Sequence, residues 1–259
     1  MTAVKALQRI ASKRESLYMN QWYKEDLAFI HDVGFRDFAL KSAPGILKIL
    51  AENKIYDGLM VDLGCGSGLW AQELIEAGYQ VLGVDISDSM INIARTRVPN
   101  AEFRIASLFK TEIPPCNAVT SISECLSYVF DKDSNLVQLF HRIYNALTPG
   151  GVFIFDISQT GQVTPGTTTK GFTEGEDWLV LVEKHEDAEQ KTLTRRIITF
   201  RKIGDRYRRD DEVHHQRLYD IATITNQLQQ VGFEVQTTDS YGEYELSPGH
   251  AVFIARKAR

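Results

Sequence analysis

Apolar positions along the chain change rhythm, and each change marks a different architecture. Up to residue 56, Leu27, Ile30, Phe35, Phe38, Ile46, Leu47, Ile49 and Leu50 recur at helical spacing. Gly34 and Pro44-Gly45 are expected to break that region into separate helices. Gly58–Leu63 is a short apolar run, the mark of a strand buried on both faces. Helical and strand patterns then alternate. A helix over Leu69–Ala77 closes at Gly78, a strand follows over Tyr79–Asp85, and Ser87 or Asp88 caps a helix ending at Val98. Strands at Ala101–Ala106 and Cys116–Ser123, a helix over Asp133–Leu147 and a strand over Val152–Ile157 continue the series. This alternation predicts βαβ crossovers and a mostly parallel, doubly wound α/β sheet.

After residue 158 the rhythm breaks. A Thr/Gly-rich loop, Thr160–Gly175, leads to three expected antiparallel strands at Trp178–His185, Lys191–Ile203 and Tyr207–Leu218. A helix over Ile221–Val231, closed by Gly232, and strands at Phe233–Asp239 and Ala251–Arg256 complete the pattern. The expected organisation is an N-terminal helical cap (1–56), a core (57–158), an antiparallel β-insertion (159–219) and a closing helix with two strands (220–259).

At 259 residues, 43% hydrophobic and 24% charged, the chain has the composition of a globular protein with a sizeable core. No apolar stretch approaches the roughly 18–20 residues of a membrane span, and the N-terminus lacks an apolar signal core. A cytoplasmic location without membrane partners is expected. The formal net charge of −5 speaks against nucleic acid as a partner. Cys65, Cys116 and Cys125 show no metal-ligand spacing, so no metal site is expected. A homodimer is compatible with the chain, although no sequence feature specifies one.

The segment VDLGCGSGLW, Val61–Trp70, changes this picture. Alternate glycines after a buried strand let the backbone turn sharply and approach a ligand, while the next helix aims its N-terminus inward. Asp85 ends the second strand about twenty residues after Gly64, the interval at which a carboxylate accepts the ribose hydroxyls of an adenosine. The dinucleotide fingerprint G-x-G-x-x-G would need glycine at position 69, where Leu69 stands.

Asp62-x-Gly64-x-Gly66-x-Gly68, then Asp85, then Pro149-Gly150-Gly151 before a strand, resemble the class I S-adenosylmethionine-dependent methyltransferases over residues 57–158. The resemblance implies a Rossmann-like seven-stranded sheet with a reversed last strand, and S-adenosylmethionine as cofactor. It further implies that Gly64, Cys65, Gly66 and Gly68 face the methionine part, with Asp62 near its amino group. Asp85 would hold the ribose, Ile86 and Met90 would flank the adenine, and Ser107-Leu108 would read the adenine edge. Ser107 departs from the aspartate frequent there.

Methyl transfer asks the protein mainly to align a nucleophile, and a base helps when that nucleophile is an amine or hydroxyl. The stretch after the fourth strand, Ser121–Tyr128, falls at the crevice beyond the strand ends. Glu124 is the candidate base or ammonium site, Tyr128 the candidate orienting group, and Ser123 a backbone contact to the cofactor. His214-His215-Gln216-Arg217 ends the insertion, and because neighbours on a strand face opposite ways only one histidine can enter the pocket. His215 is the choice. Tyr18, Trp22 and Tyr23 form an aromatic group suited to closing over the cofactor, and His31-Asp32 reads as a surface or capping pair. The layout of the insertion is similar to bacterial small-molecule N-methyltransferases, including those that dimethylate amino sugars. A small-molecule acceptor is therefore expected, with an amine favoured slightly over a hydroxyl. A nicotinamide oxidoreductase and a non-catalytic S-adenosylmethionine-binding protein are the alternatives.

Overall fold

A computed structural model describes residues 22–129 and 134–259; Tyr18 and residues 1–21 of the expected cap lie outside the described residues. Strand β1 (Leu59–Leu63) is flanked by β2 (Gln80–Asp85) and β4 (Cys116–Ser121), both parallel to it. The remaining strands are β3 (Glu102–Ile105), β5 (Leu147–Ser158), β10 (Phe233–Thr238) and β13 (His250–Lys257). They make one seven-stranded sheet in the order β10-β13-β5-β4-β1-β2-β3. Only β13 runs antiparallel to its neighbours, pairing Phe253 with Phe155 on one side and Thr237 on the other.

Helices cover both faces, which is why the central strands β1 and β5 are largely apolar. Helices α2 (Asp37–Glu52), α3 (Leu69–Glu76) and α4 (Asp88–Arg97) bury Ile46, Leu74 and Ile91 in one core. On the other face α5 (Leu136–Ala146) and α6 (Ile221–Val231) bury Phe140, Ile143 and Leu228 in a second. Helix α1 (Glu25–Gly34) lies against α4 through the Asp32–Arg97 ion pair and packs Leu27 and Ile30 on Val180 and Ile197. Among the described residues no helix is long and apolar enough to cross a membrane.

Several boundaries depart from expectation for local reasons. Gly34 ends α1, but α2 runs straight through Pro44-Gly45. Any side chain at position 45 would collide with the Tyr241 carbonyl, so Gly45 serves a close helix–loop approach rather than a break. Pro149-Gly150-Gly151 does not precede β5 but lies within it, as an irregularity between the pairs Cys116↔Leu147 and Ala118↔Val152. Strand β4 stops at Ser121 because Ser123 and Glu124 adopt left-handed φ values of 66° and 59°.

The insertion is a four-stranded antiparallel sheet, one strand more than expected. Strands β6 (Thr169–Glu174), β7 (Trp178–Asp187), β8 (Thr192–Ile203) and β9 (Arg206–Arg217) pair in sequence order. β6 is exposed at every position, so it lacks the apolar alternation that marks a strand. The insertion begins and ends at one point, where Tyr219 N–H donates to the Ser158 carbonyl at 2.9 Å. A short hairpin, β11 (Ser240–Tyr241) with β12 (Tyr244–Glu245), separates β10 from β13.

Candidate active site

The turn after β1 carries Gly64, Gly66 and Gly68 at φ 84°, 52° and 78°, conformations that side chains resist. A Cβ at Gly64 would strike Cys125 Sγ, whereas one at Gly66 would meet nothing within 4 Å. The backbone at Gly66 is therefore bare toward open space. Asp85 braces this loop: its Oδ2 accepts from Gly66 N–H at 2.9 Å and its Oδ1 from Ser87 N–H at 2.8 Å. Ser87 is the N-cap of α4, accepting from Met90 N–H at 3.1 Å, and its hydroxyl donates to the Tyr23 carbonyl at 2.8 Å.

A cavity opens along this loop. Asp62, Gly64, Cys65, Gly66 and Asp85 line one end, Ile86, Met90 and Leu108 another, and Tyr23, Ser123 and Tyr128 the far wall. These expected residues share one space. Two further residues expected at the cofactor do not line it. Gly68 starts α3 and packs against Ala94, where a Cβ would come within 3.0 Å. Ser107 accepts from Phe109 N–H in a local turn, leaving Ala106 and Leu108 at the cavity. The sequence reading missed His31, Phe35 and Phe38 on the cavity wall. His31 is not the surface residue expected, since burial pushes its imidazole down to about 4.

Buried carboxylates dominate the electrostatics. Asp62 is 1% exposed and accepts from Thr120 Oγ1 at 2.8 Å, while Trp70 Nε1 donates to that same hydroxyl at 3.1 Å. Burial pushes the Asp62 carboxyl up to about 7, with the Thr120 bond opposing and nearby Asp85 adding to the shift. Asp156, at the end of β5, accepts from Ser123 N–H at 2.9 Å, Glu124 N–H at 2.7 Å and Tyr241 O–H at 2.7 Å. This grip offsets the strain of two consecutive left-handed residues, of order 1–3 kcal/mol each. It delivers Ser123 and, through the 3-10 turn Cys125–Ser127, Tyr128 to the cavity.

Glu124 does not line the cavity, and its carboxylate is engaged by other side chains. Its carboxylate accepts from Ser158 Oγ at 2.6 Å, Gln216 Nε2 at 2.8 Å and Arg195 at 2.9 Å, with His250 Nε2 3.0 Å away. Burial alone would raise this carboxyl, but Arg195 and His250 outweigh it and hold it well below the usual range. A carboxylate so stabilised is a weak base. It serves instead as the anion that fastens β8 and β9 to the end of β5.

The inward histidine is His214, not His215. Along β9, Glu212, His214 and Gln216 are buried while Val213 and His215 are exposed, so strand parity sends His215 outward to Thr194 Oγ1. His214 is 0% exposed, pairs through Nε2 with Glu212 Oε2 at 2.8 Å, and its ring lies against Trp22, Tyr23 and Tyr128. Glu212 also accepts from the backbone N–H groups of Tyr23 and Lys24 at 2.8 and 2.9 Å, which caps α1 from the neighbouring sheet. The Tyr23 and Tyr128 hydroxyls meet at 3.0 Å, closing the wall.

The crevice fits an adenosine-bearing amino acid. Asp62 and Asp85 offer acceptors where an ammonium and a ribose diol would donate, the bare backbone at Gly66 admits close approach, and Ile86, Met90 and Leu108 supply an apolar slot. A dinucleotide fold of the nicotinamide type would continue its parallel order past β5, whereas here antiparallel β13 takes that place. A protein-family profile described as a methyltransferase domain matches residues 60–151. A protein of Geobacillus sp. (strain WCH70), whose name assigns it provisionally to the methyltransferases, is 28% identical over 207 residues, covering 76% of this chain and 83% of that one. An S-adenosylmethionine-dependent methyltransferase from Clostridium acetobutylicum superposes with a TM-score of 0.77 at 21% identity, over 90% of this chain and 98% of that one. The sugar N-methyltransferase KedS8 from Streptoalloteichus sp. does so at 0.72 and 18% identity, over 88% and 93% of the two chains. With glycine loop, paired carboxylates and reversed strand order in one chain, the protein carries a methyltransferase domain over residues 60–151 on the fold of S-adenosylmethionine-dependent methyltransferases, and its crevice suits that cofactor.

Proposed function

We propose that the chain methylates a small-molecule acceptor held between the glycine loop and the Tyr23–Tyr128 wall. The observation that carries this reading is the single cavity shared by the Gly64–Gly66 backbone, Asp85 and the Tyr23–Tyr128 hydroxyl pair. When bound, S-adenosylmethionine supplies a methyl group on an already electrophilic sulfonium, so the protein's work is placement and exclusion of water. In this reading Asp85 takes the ribose hydroxyls, Asp62 the amino group, and Ile86, Met90 and Leu108 the adenine. Tyr23 covers the cofactor, held through its carbonyl by Ser87 and through its N–H by Glu212. Tyr128 orients the acceptor through its hydroxyl.

The preference for an amine rests on Glu124 and on the acidic net charge of the chain. With that carboxylate neutralised by Arg195, nothing at this position favours a cation over a neutral nucleophile. The small-molecule reading is supported by the cavity along the glycine loop and by the sugar N-methyltransferase among the structural neighbours. Calorimetry with S-adenosylmethionine and S-adenosylhomocysteine, followed by turnover of labelled cofactor with amines, alcohols, carboxylic acids and thiols, tests it. Binding of both compounds and methylation of at least one acceptor class is expected. Absence of heat with either compound overturns the reading.

A further inference from the structure

Among the described residues that line the cavity, His31 carries the only basic side chain. The glycine-loop end is otherwise rich in acceptors, with Asp62 and Asp85, and its donors are largely committed. The amides of Gly64 and Cys65 donate to the Val84 carbonyl at 2.7 and 3.0 Å, that of Gly66 to Asp85, and Trp70 Nε1 to Thr120. An amino-acid tail brings a carboxylate as well as an ammonium, and a buried carboxylate without a donor is costly.

The residue next to His31 ties it to this end of the cavity. Asp32 pairs with Arg97 at 2.7 Å, and Arg97 in turn donates to the carbonyl of Ser67, one residue past Gly66. His31 and Phe35 lie four residues apart on α1, so they share a face, and both line the cavity. The imidazole stands edge-on to Tyr23, with ring centroids 5.3 Å apart, and stacks on Phe35 at 6.0 Å. These two contacts set the plane of the ring. Its Nδ1 is closed to solvent and has no partner. Nε2 also has no hydrogen-bond partner among the described residues but is not closed off, so it is the nitrogen that a ligand in the cavity can reach. Burial lowers the imidazole to about 4, which keeps the ring neutral and leaves it an N–H to donate without a charge to desolvate.

We infer that His31 binds the methionine carboxylate of the cofactor, donating through Nε2. The assignment rests on the methyl-transfer reading above and deepens it. Asp62 and His31 then take the two ionic arms of the amino-acid tail, one from the central sheet and the other from helix α1. A neutral donor to a carboxylate makes a charge-assisted hydrogen bond and needs no proton uptake on binding.

Calorimetry on the full chain tests this with two ligands, S-adenosylhomocysteine and S-adenosyl-3-thiopropylamine, the same molecule without its carboxylate. His31→Phe keeps a ring against Tyr23 and Phe35 and removes the nitrogens. It should weaken S-adenosylhomocysteine on the order of tenfold, the loss of a hydrogen bond to a charged group, and leave the amine at its parent affinity. His31→Gln, which retains an N–H, should recover most of the loss. In the parent, the imidazole 15N signal of His31 should move more with S-adenosylhomocysteine than with the amine, a readout that does not depend on how either variant folds. Undiminished S-adenosylhomocysteine affinity in His31→Phe, equal losses for the two ligands, or equal 15N shifts overturn the assignment alone. A parent that binds neither ligand overturns the methyl-transfer reading and the assignment with it.

Discussion

Replacing Asp62 with Asn separates cofactor recognition from fold through its pH dependence. The carboxyl titrates near 7 because burial raises it, and the groups around it are the Thr120 hydroxyl, Asp85 and Cys65. If an ammonium must meet an ionised Asp62, the competent fraction is about one in ten at pH 6 and about nine in ten at pH 8. Affinity for S-adenosylhomocysteine should therefore weaken about tenfold, roughly 1.4 kcal/mol, on going from pH 8 to pH 6. Calorimetry in buffers of different ionisation enthalpy should register up to one proton released near pH 6. The sign for stability is opposite. The raised carboxyl favours the folded, ligand-free protein below an unfolded pKa near 4, and this contribution is lost as pH rises through about 7, to a full extent of roughly 4 kcal/mol. Cofactor should thus stabilise the protein more at pH 8 than at pH 6. Asp62→Asn should bind more weakly at pH 8 and show a flatter pH profile. A dissociation constant independent of pH in the parent, or an unchanged slope in Asp62→Asn, refutes the assignment of Asp62 to the ammonium.

Asp85→Ala should weaken S-adenosylhomocysteine by roughly 1.5–3 kcal/mol, measured by calorimetry; an unchanged constant would remove Asp85 from the site. Glu124→Gln leaves the Arg195 guanidinium buried without its anion and should cost about 3–5 kcal/mol of stability in denaturant melts; a loss of turnover with unchanged stability would restore Glu124 as a base. His214→Ala should lower stability and turnover together because it removes the partner of Glu212, whereas His215→Ala should match the parent in both. The reverse order would mean that β9 presents its other face.

The alternating α/β core was legible because its strands are apolar runs bounded by helices with clear caps, Ser87 and Gly78 among them. The glycine loop and Asp85 were legible because close approach restricts backbone and side chain to few residue types. Strand β6 was not, since an edge strand exposed along its length needs no apolar alternation. The parity of β9 was ambiguous locally: His214-His215 reads the same either way, and the deciding signal is that Glu212, His214, Gln216 and Leu218 must share the buried face. Glu124 read as a free carboxylate because its partners Arg195, Gln216 and His250 come from strands far away in the chain.

The hydrogen bond between Tyr219 and Ser158 brings the two ends of the antiparallel sheet to a common root. A segment grafted at one root can be lengthened, shortened or replaced while the nucleoside-facing half keeps its shape. The replacement need only bring its own counterparts of Arg195, Glu212 and Gln216 to dock on Glu124 and on the start of α1. Choice of acceptor can therefore diverge among relatives while donor recognition stays constant.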